Sequence, residues 1–317
     1  MSAPGIIDYG HGICAVDSVY DRRMQTAIHL LVEDGRAAVI DTGTSHAVPH
    51  VLAALEAQGL SAAQVDYVIL THVHLDHAGG AGQLMARFPN ARLTVHPRGA
   101  RHVADPGRLL AATAAIYGEA QTRRVYGEVL AVPKHRIVET AEGTRLRLAG
   151  RELLFLDAPG HARHHVVVRD GKTGHIFAGD TFGLSYRELD RDGRQFSFPT
   201  TSPSQFDPPA LHRSIDRMLS YGPESLYVAH FGRLTNLTVL AADLHRLIDA
   251  HAALGERHRR AGAERKRLLT EGVRSLVLEE RERQEWRLSR EKTLEVFALD
   301  IELNAQGLES WLDTEGK

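Results

Sequence analysis

The sequence predicts an α/β fold in residues 1–233 and a helical region in residues 234–317. First, short runs of apolar and β-branched residues alternate with runs whose apolar residues recur at helical spacing, which is typical of α/β folds. Second, Gly, Pro, Asn and Asp separate many of these runs, as turn residues do. Third, strand-like runs almost disappear after about Leu234, and helical periodicity takes over.

The strands predicted in the α/β domain are short runs rich in Val, Ile and Leu. Asp34-Gly35 lies between the first two runs and is a typical hairpin turn, and Asp170-Gly171 is a second one. The predicted strands fall at 26–33, 37–43, 65–70, 92–96, 144–149, 151–161, 164–170, 175–180 and 225–232.

Helices are predicted where apolar residues recur every three to four positions. Gly59 ends the first of them, and Asp207-Pro208 begins the last one in the α/β domain. From about residue 106 to residue 132 the pattern turns helical, and this segment is predicted to be a helical insertion in the sheet framework. In the C-terminal region we predict roughly three helices, and the first of them runs through the lone Gly262, which is only a weak break signal. The predicted helices fall at 47–59, 78–90, 107–130, 207–222, 244–269, 271–286 and 291–312.

The composition is that of an ordinary globular protein, with 43% hydrophobic and 25% charged residues among 317. A formal net charge of −2 gives no basis for binding nucleic acid or an anionic membrane. Cys14 is the only cysteine, so an intrachain disulfide is excluded. The N-terminus does not resemble a secretory signal, and no apolar run is long enough to cross a bilayer. We therefore expect a cytoplasmic protein with a small-molecule partner.

Histidine is the unusual residue, with 19 copies, and its densest cluster is "LTHVHLDHAGG" at residues 70–80. His72 and His74 are two positions apart, so in an extended chain they point the same way and can face one metal ion. Asp76 and His77 follow after a turn and can face a second ion. Imidazole and carboxylate groups are suitable ligands for zinc, and also for iron or manganese.

Two ligands do not make a firm metal site, so further ligands must come from other parts of the chain. His161, Asp180 and His230 each lie just beyond an apolar strand-like run. The ends of strands are where α/β sheets usually carry their functional sites. These three residues are therefore further candidate ligands.

The motif HxHxDH at residues 72–77, followed in order by His161, Asp180 and His230, resembles the metallo-β-lactamase fold superfamily. The Asp-Thr-Gly segment at residues 41–43 resembles the early aspartate motif of that superfamily. The resemblance covers roughly residues 20–233, and within the superfamily the chain looks like the glyoxalase II and lactonase-like branch. It implies an αββα sandwich with a helical insertion and a helical C-terminal region.

The resemblance also implies two divalent metal ions, expected to be zinc, with iron or manganese as the other candidates. Asp41 would orient the ligand loop, a role that metal sites need. His165 lies four residues after His161, where glyoxalase II-type hydrolases also carry a histidine, although their preceding residue is commonly Gly and here it is His164. Carried over by position, the ligands would be His72, His74 and His161 for the first ion, Asp76, His77 and His230 for the second, and Asp180 as the bridge.

This ligand set predicts a hydrolase that uses a metal-bridging hydroxide to attack a small ester, thioester or lactone. The sequence has no GxSxG motif, so a serine nucleophile of that type is not indicated. Asp76 would pass a proton to the leaving group. Tyr186, six residues after Asp180, would donate a hydrogen bond to the oxyanion, as a tyrosine near that position does in some lactonase-type relatives.

Two alternative functions stay open. A persulfide dioxygenase-like enzyme would bind a single iron ion through His72, His161 and Asp180. A non-catalytic scaffold would use the helical tail as a dimer surface, and a homodimer through the tail or the 106–132 insertion is also compatible with an enzyme. The substrate, the metal and a thiol cofactor on the tail are not fixed by the sequence.

Overall fold

Two β-sheets form the framework of the chain in the computed structural model, which describes residues 5–201 and 205–315. The strands are β1 (Ile6–Asp8), β2 (Ile13–Asp17), β3 (Ala27–Glu33), β4 (Arg36–Ile40), β5 (Val65–Ile69), β6 (Arg92–Val95), β7 (Ile137–Glu139), β8 (Arg145–Leu148), β9 (Arg151–Asp157), β10 (Val166–Asp170), β11 (Ile176–Leu184), β12 (Leu226–His230) and β13 (Gly232–Leu234). The first sheet has the order β1-β2-β3-β4-β5-β6-β7, and the second has the order β13-β12-β11-β10-β9-β8. The predicted α/β class is confirmed.

The described residues separate into two compact units. The first contains the residues up to Asp157, then His164–Gly179 and Leu226–Arg233. The second contains Ala158–Arg163, Asp180–Ser225 and the residues from Leu234 onward. One of these boundaries falls at residues 233 and 234, where the sequence predicts the helical region to begin, but the second unit also includes two earlier segments. The division into domains 1–233 and 234–317 stays a prediction.

The first sheet changes from antiparallel to parallel pairing along its length. Strands β1 to β4 are antiparallel neighbours, whereas β4, β5, β6 and β7 pair in parallel. Glu33 pairs with Arg36, so β3 and β4 are joined by the two-residue turn Asp34-Gly35, and both turn residues have positive φ, 42° and 70°. Positive φ at both positions is typical of the type I′ hairpin turn, as the sequence indicates.

Each face of the first sheet packs against a different layer of the first unit. Ala38 and Ile40 of β4 join a buried cluster that includes Phe155 and Val168 of the second sheet. Val39, between them in sequence, joins the opposite cluster with residues of helices in the first unit. Alternate residues of a strand point to opposite faces, which explains why nearly the whole β4 strand is apolar and buried.

Helices in the first unit are α1 (Val48–Ala57), α2 (Leu75–Ala78), α3 (Ala81–Arg87), α4 (Pro97–Ala104), α5 (Gly107–Tyr117) and α6 (Glu119–Tyr126). The last two lie within the predicted insertion 106–132, so the prediction of helices there is confirmed up to Tyr126, whereas residues 127–132 are not helical. In the described part of the chain, we find no helix with the length and apolar character needed to span a membrane.

The second unit contains α7 (Pro208–Ser220), α8 (Leu237–His258), α9 (Arg265–Gln284), α10 (Arg290–Val296) and α11 (Ala298–Glu315). The prediction of a first tail helix that runs through Gly262 is wrong. Helix α8 ends at His258, and Gly262 begins a short 3₁₀ turn with φ of 58°, a left-handed conformation that glycine adopts at little cost. The tail of the described chain therefore has four helices where three are predicted.

The apolar face of α11 is buried inside the single chain. Ala305, Leu308 and Leu312 are each 4% exposed or less. These side chains therefore need no partner subunit to be removed from water. A homodimer through the tail or the insertion stays a prediction.

Candidate metal centre

The histidine motif lies in the turn between β5 and the short helix α2. Strand β5 ends at Ile69, and His74 occupies the N-cap position of α2 with extended backbone angles. The rings of His72 and His74 approach each other edge to face, with centroids 4.5 Å apart. His72 and His77 are fully buried, whereas His74 and Asp76 are partly exposed. The turn thus holds several metal-binding groups at the edge of solvent.

Asp76, His77 and His230 converge within the first unit. Each offers one ligand atom, and these atoms all lie within 4.8 Å of one another. Oδ2 of Asp76 lies 3.1 Å from Nε2 of His77 and 3.6 Å from Nε2 of His230. Two imidazoles and one carboxylate form a donor set that suits zinc, with room in the coordination sphere for water or substrate. The residues present therefore fit a divalent metal ion.

A backbone carbonyl and a side-chain hydroxyl fix the ring orientation of His230. Its Nδ1 lies 3.1 Å from the carbonyl oxygen of Gln25 and 3.1 Å from the hydroxyl of Thr26. Because a carbonyl can only accept a hydrogen bond, Nδ1 must carry the proton. Nε2, the nitrogen that faces Asp76, is then the basic atom of the ring, as a metal ligand requires.

Asp41 binds the start of the ligand turn from behind. Its Oδ1 accepts a hydrogen bond from the backbone N–H of Thr71 at 2.8 Å, and its Oδ2 accepts one from the Thr71 hydroxyl at 2.8 Å. That hydroxyl also lies 3.0 Å from Nδ1 of His72. Since the hydroxyl proton is given to the carboxylate, the oxygen accepts from His72 Nδ1–H, and Nε2 of His72 is the basic nitrogen. Asp41 also lies 3.5 Å from Nδ1 of His77.

The residues after Asp41 support the far end of the turn. The backbone N–H and the hydroxyl of Thr42 both donate to the carbonyl of His77, each at 2.7 Å. The backbone N–H of Gly80 donates to the carbonyl of Gly43 at 3.0 Å. A Cβ at Gly80 would come within 3.0 Å of the carbonyl oxygens of Thr42 and Thr44, so this close approach requires glycine. The Asp-Thr-Gly segment therefore holds the ligand turn at both ends.

His165 packs directly behind His72. Their rings are stacked with centroids 4.9 Å apart, and His165 is almost fully buried. Gly179 has a φ of 51°, and a Cβ there would come within 2.6 Å of Nε2 of His165. The glycine before Asp180 thus leaves space for this ring.

His161 and Asp180 lie in the second unit and contact each other. Nε2 of His161 is 3.5 Å from Oδ2 of Asp180, and both side chains are buried. Nδ1 of His161 lies 3.1 Å from the carbonyl oxygen of Thr200, which can only accept, so Nδ1 carries the proton and Nε2 is the basic nitrogen. Three of the predicted histidine ligands, in both units, therefore share one tautomer.

The chain matches a model of the family described as "Metallo-beta-lactamase superfamily" over residues 21–230. It belongs to the metallo-β-lactamase superfamily. The predicted resemblance is confirmed, and so is the coarse functional class, because this is a superfamily of metal-dependent hydrolases.

Relatives of this superfamily member include proteins named hydroxyacylglutathione hydrolase. The protein from Xanthomonas axonopodis pv. citri (strain 306) is 31% identical over 237 residues, which are 74% of this chain and 71% of the relative. The one from Xanthomonas euvesicatoria pv. vesicatoria (strain 85-10) is 32% identical over 238 residues, with the same coverage of each chain.

Solved structures of the superfamily share the fold. An archaeal metallo-β-lactamase superfamily protein from Sulfolobus tokodaii has a TM-score of 0.61 at 19% identity, covering 95% of this chain and 99% of its own. A metallo-β-lactamase family protein from Thermus thermophilus has a TM-score of 0.61 at 22% identity, and the match covers 96% of this chain and 94% of that protein. The predicted metallo-β-lactamase type of fold is confirmed.

The predicted ligands of this metallo-β-lactamase superfamily member are divided between the two units. The first unit holds His72, His74, Asp76, His77 and His230, together with Asp41 and His165. The second holds His161, Asp180 and Tyr186. The full set of seven ligands, and the roles of Asp41, His165 and Tyr186, stay predictions.

Sequence reasoning missed the residues that orient the ligands. Thr71 and Thr200 contact the Nδ1 atoms of His72 and His161, and Gln25 contacts that of His230 through its carbonyl. Thr71 could have been found, because it stands directly before the first histidine of the motif. The carbonyls of Gln25 and Thr200 leave no signal in the sequence, because every residue has one.

Proposed function

We propose that this chain is a dinuclear metal-dependent hydrolase of glutathione thioesters that carry a hydroxyacyl group. The observation that carries the proposal is the donor cluster of Asp76, His77 and His230, in a chain 31% and 32% identical to proteins named hydroxyacylglutathione hydrolase. Other small esters and lactones are the neighbouring substrate classes, and the fold alone does not separate them.

The proposed ligands follow the order of the superfamily motif. Asp76, His77 and His230 would hold one ion, and their mutual distances support this. By resemblance, His72, His74 and His161 would hold the other, with Asp180 shared by both. Two divalent cations, most simply zinc, would supply a nucleophile from water at neutral pH and would polarise the thioester carbonyl.

The chain's own residues would orient and protonate the reacting groups. Asp41 and Thr71 hold His72 so that its Nε2 is the basic nitrogen, and Gln25 does the same for His230. Asp76 is partly exposed and lies against the imidazoles of His77 and His230. We assign to its carboxylate the transfer of a proton, which it takes from the attacking water and gives to the departing thiolate sulfur.

Metal analysis separates this proposal from its iron alternative. The purified full-length chain would be analysed for metal by plasma mass spectrometry, and hydrolysis would be followed with and without oxygen. Two zinc ions per chain and a rate that is independent of oxygen support the proposal. One iron per chain, with oxygen uptake on glutathione persulfide, would overturn it.

A substrate panel tests the thioester assignment. The zinc-loaded chain would be assayed with a hydroxyacyl glutathione thioester, a lactone, a phosphodiester and a β-lactam. We expect the highest kcat/KM for the thioester, and loss of both activity and one zinc ion in His230→Gln. His135→Gln is the matched control, because His135 is exposed and lies in a 3₁₀ turn outside the motif. Preference for the lactone or the phosphodiester would refute the thioester assignment.

The role of Asp76 is tested by Asp76→Asn at constant metal content. Loss of a positioned proton donor typically costs about 10²–10⁴-fold in rate. We expect a fall in kcat of that size for a thioester whose leaving group is a poor one, and a smaller fall for an activated thioester. An unchanged kcat at full metal content excludes the proton-transfer role.

A further inference from the structure

The hexapeptide Leu-His-Arg-x-Ile-Asp occurs twice in the chain, at residues 211–216 in α7 and 244–249 in α8. In both copies the leucine and the isoleucine are buried, with exposures of 2% or less. Histidine and aspartate are four positions apart, so they stand one turn apart on the same side of each helix. The two helices therefore present the same pair of polar side chains.

The four polar side chains form a reciprocal cluster within the second unit. His212 and His245 stack with ring centroids 4.8 Å apart, and their Nδ1 atoms are 2.5 Å apart. Nε2 of His212 lies 2.9 Å from Oδ1 of Asp249, and Nε2 of His245 lies 3.0 Å from Oδ1 of Asp216. Each histidine thus contacts the aspartate of the opposite helix.

Without a cation, the two Nδ1 atoms of this cluster have no hydrogen to share between them. An ionised carboxylate can only accept, so both Nε2 atoms must carry protons. A neutral imidazole has one N–H, so both Nδ1 atoms would then carry lone pairs that point at each other. Opposed lone pairs repel at this distance, whereas a cation between them would be attracted by both nitrogens and balanced by the two aspartates.

We propose that His212 and His245 bind one divalent transition-metal ion through their Nδ1 atoms. Imidazole nitrogen suits zinc, copper and nickel, and a ligating histidine usually donates its other N–H to a carboxylate, as both do here. Zinc–nitrogen bonds of about 2.0–2.1 Å would need the two Nδ1 atoms to move apart by about 1 Å. The side chains are 25% and 27% exposed, so they have room to move, and water can complete the coordination.

This site is independent of the proposed hydrolase centre, because none of its four residues belongs to the superfamily motif. The imidazoles are presented by two long helices, which hold the ligands more rigidly than loops would. The competing occupant is a single shared proton, which would satisfy the same lone pairs without any metal.

Copper titration of the zinc-loaded full-length chain tests the proposal, with the bound Cu²⁺ followed by electron paramagnetic resonance. We expect one saturable equivalent whose spectrum shows coupling to two nitrogens. His212→Gln and His245→Gln should each lose this equivalent, whereas Asp249→Ala should weaken it by about 10–100-fold. His258→Gln, on the same helix α8, is the matched control and should bind copper as the unaltered chain does.

Copper that displaces zinc elsewhere would appear equally in every variant, so only the equivalent that depends on both histidines counts as support. If the unaltered chain, His212→Gln and His245→Gln bind copper equally, the proposed metal site is wrong, and a shared proton occupies the space between the two Nδ1 atoms. Circular dichroism of each variant establishes that it is folded. A variant that fails to fold is replaced by Asp216→Ala, which should weaken the same copper signal while both ligands are retained.

Discussion

The hydroxyl of Tyr186 donates to the carboxylate of Asp300, with distances of 3.1 Å and 3.0 Å to its two oxygens. Tyr186 is fully buried and its ring meets Phe297 edge to face, at 5.7 Å between centroids. The contact ties the loop after β11 to helix α11 within the second unit. It supports a structural role for Tyr186, which the sequence predicts to be an oxyanion donor.

Tyr186→Phe should therefore affect stability more than catalysis. Removing a donor from a buried carboxylate should lower the free energy of unfolding by about 1.5–3 kcal/mol. Urea unfolding of the zinc-loaded protein measures this change, and kcat/KM should stay within about threefold. An oxyanion donor would instead cost about 10²–10³-fold in kcat.

A double-mutant cycle tests whether the stability lost in Tyr186→Phe comes from its contact with Asp300. In an Asp300→Ala background, the same substitution should cost far less stability, because its partner carboxylate is already absent. If Tyr186→Phe lowered the free energy of unfolding equally in that background, the contact with Asp300 would not explain its effect. A large fall in kcat at unchanged stability would support the predicted catalytic role of Tyr186.

Asp41→Asn should loosen the metal centre without removing a ligand. The amide would direct an N–H group toward the Thr71 hydroxyl, from which the carboxylate now accepts a hydrogen bond, or toward Nδ1 of His77, which lies 3.5 Å from the carboxylate. Loss of such a supporting group typically lowers metal affinity by about 10–100-fold. Competition with a zinc chelator at pH 7.5 measures the change.

The control for Asp41→Asn is Asp66→Asn. Asp66 is a carboxylate of the neighbouring strand β5, but it pairs with Arg36 and lies outside the ligand turn. Its replacement should leave zinc affinity unchanged. Equal zinc affinity in Asp41→Asn and the control would show that Asp41 does not orient the ligands.

Thr71→Val tests the hydroxyl that links Asp41 to His72. Valine has nearly the same shape but cannot accept from His72 Nδ1–H, so the ring loses the contact that fixes its tautomer. We expect a fall in zinc affinity of about tenfold or more. Thr71→Ser retains the hydroxyl and should stay close to the unaltered chain. The prediction is wrong if serine and valine give the same affinity.

Local patterns were sufficient for much of the fold and for the choice of candidate ligands. The apolar strand β5 and the turn that follows it are predictable because burial and histidine spacing are both visible over a few residues. Strands β1 and β2 were not predicted, since β1 has only three residues and a glycine-rich turn separates the two. Strand β2 gains its order from pairing with β3, and β1 gains its order from pairing with β2, and no local pattern reveals these partners.

The unpredicted parts of the site are contacts between distant residues. Tyr186 and Asp300 are 114 positions apart, and the Asp41 contact with Thr71 spans 30. A side chain's hydrogen-bond partner depends on which elements pack together, so residue type alone could not separate an oxyanion donor from a structural tyrosine. His212 and His245 differ from these cases, because the hexapeptide that contains each of them can be seen in the sequence. That the two histidines contact each other is known only from the packing of α7 against α8.

His29 should make the protein less stable in mild acid. Its ring lies between Phe177 and Tyr227, with centroids 5.6 Å from each, and burial lowers its pKa to about 3. In the unfolded chain the pKa of a histidine is about 6.5. Between these two values the unfolded state binds a proton that the folded state does not, so stability falls as the pH is lowered from about 6.5 toward 3. Between pH 7 and pH 5, this histidine alone should lower the free energy of unfolding by about 2 kcal/mol.

His29→Met isolates this contribution, because methionine fills an irregular apolar space and does not titrate. Urea unfolding at saturating zinc would be measured at pH 7, 6 and 5 for the unaltered chain, His29→Met and the exposed control His135→Gln. Acid loss of zinc affects all three proteins, so the difference between them reports the single histidine. The unaltered chain and His135→Gln should lose about 2 kcal/mol more than His29→Met over this range. Parallel pH profiles for all three would mean that His29 is protonated in the folded protein despite its burial.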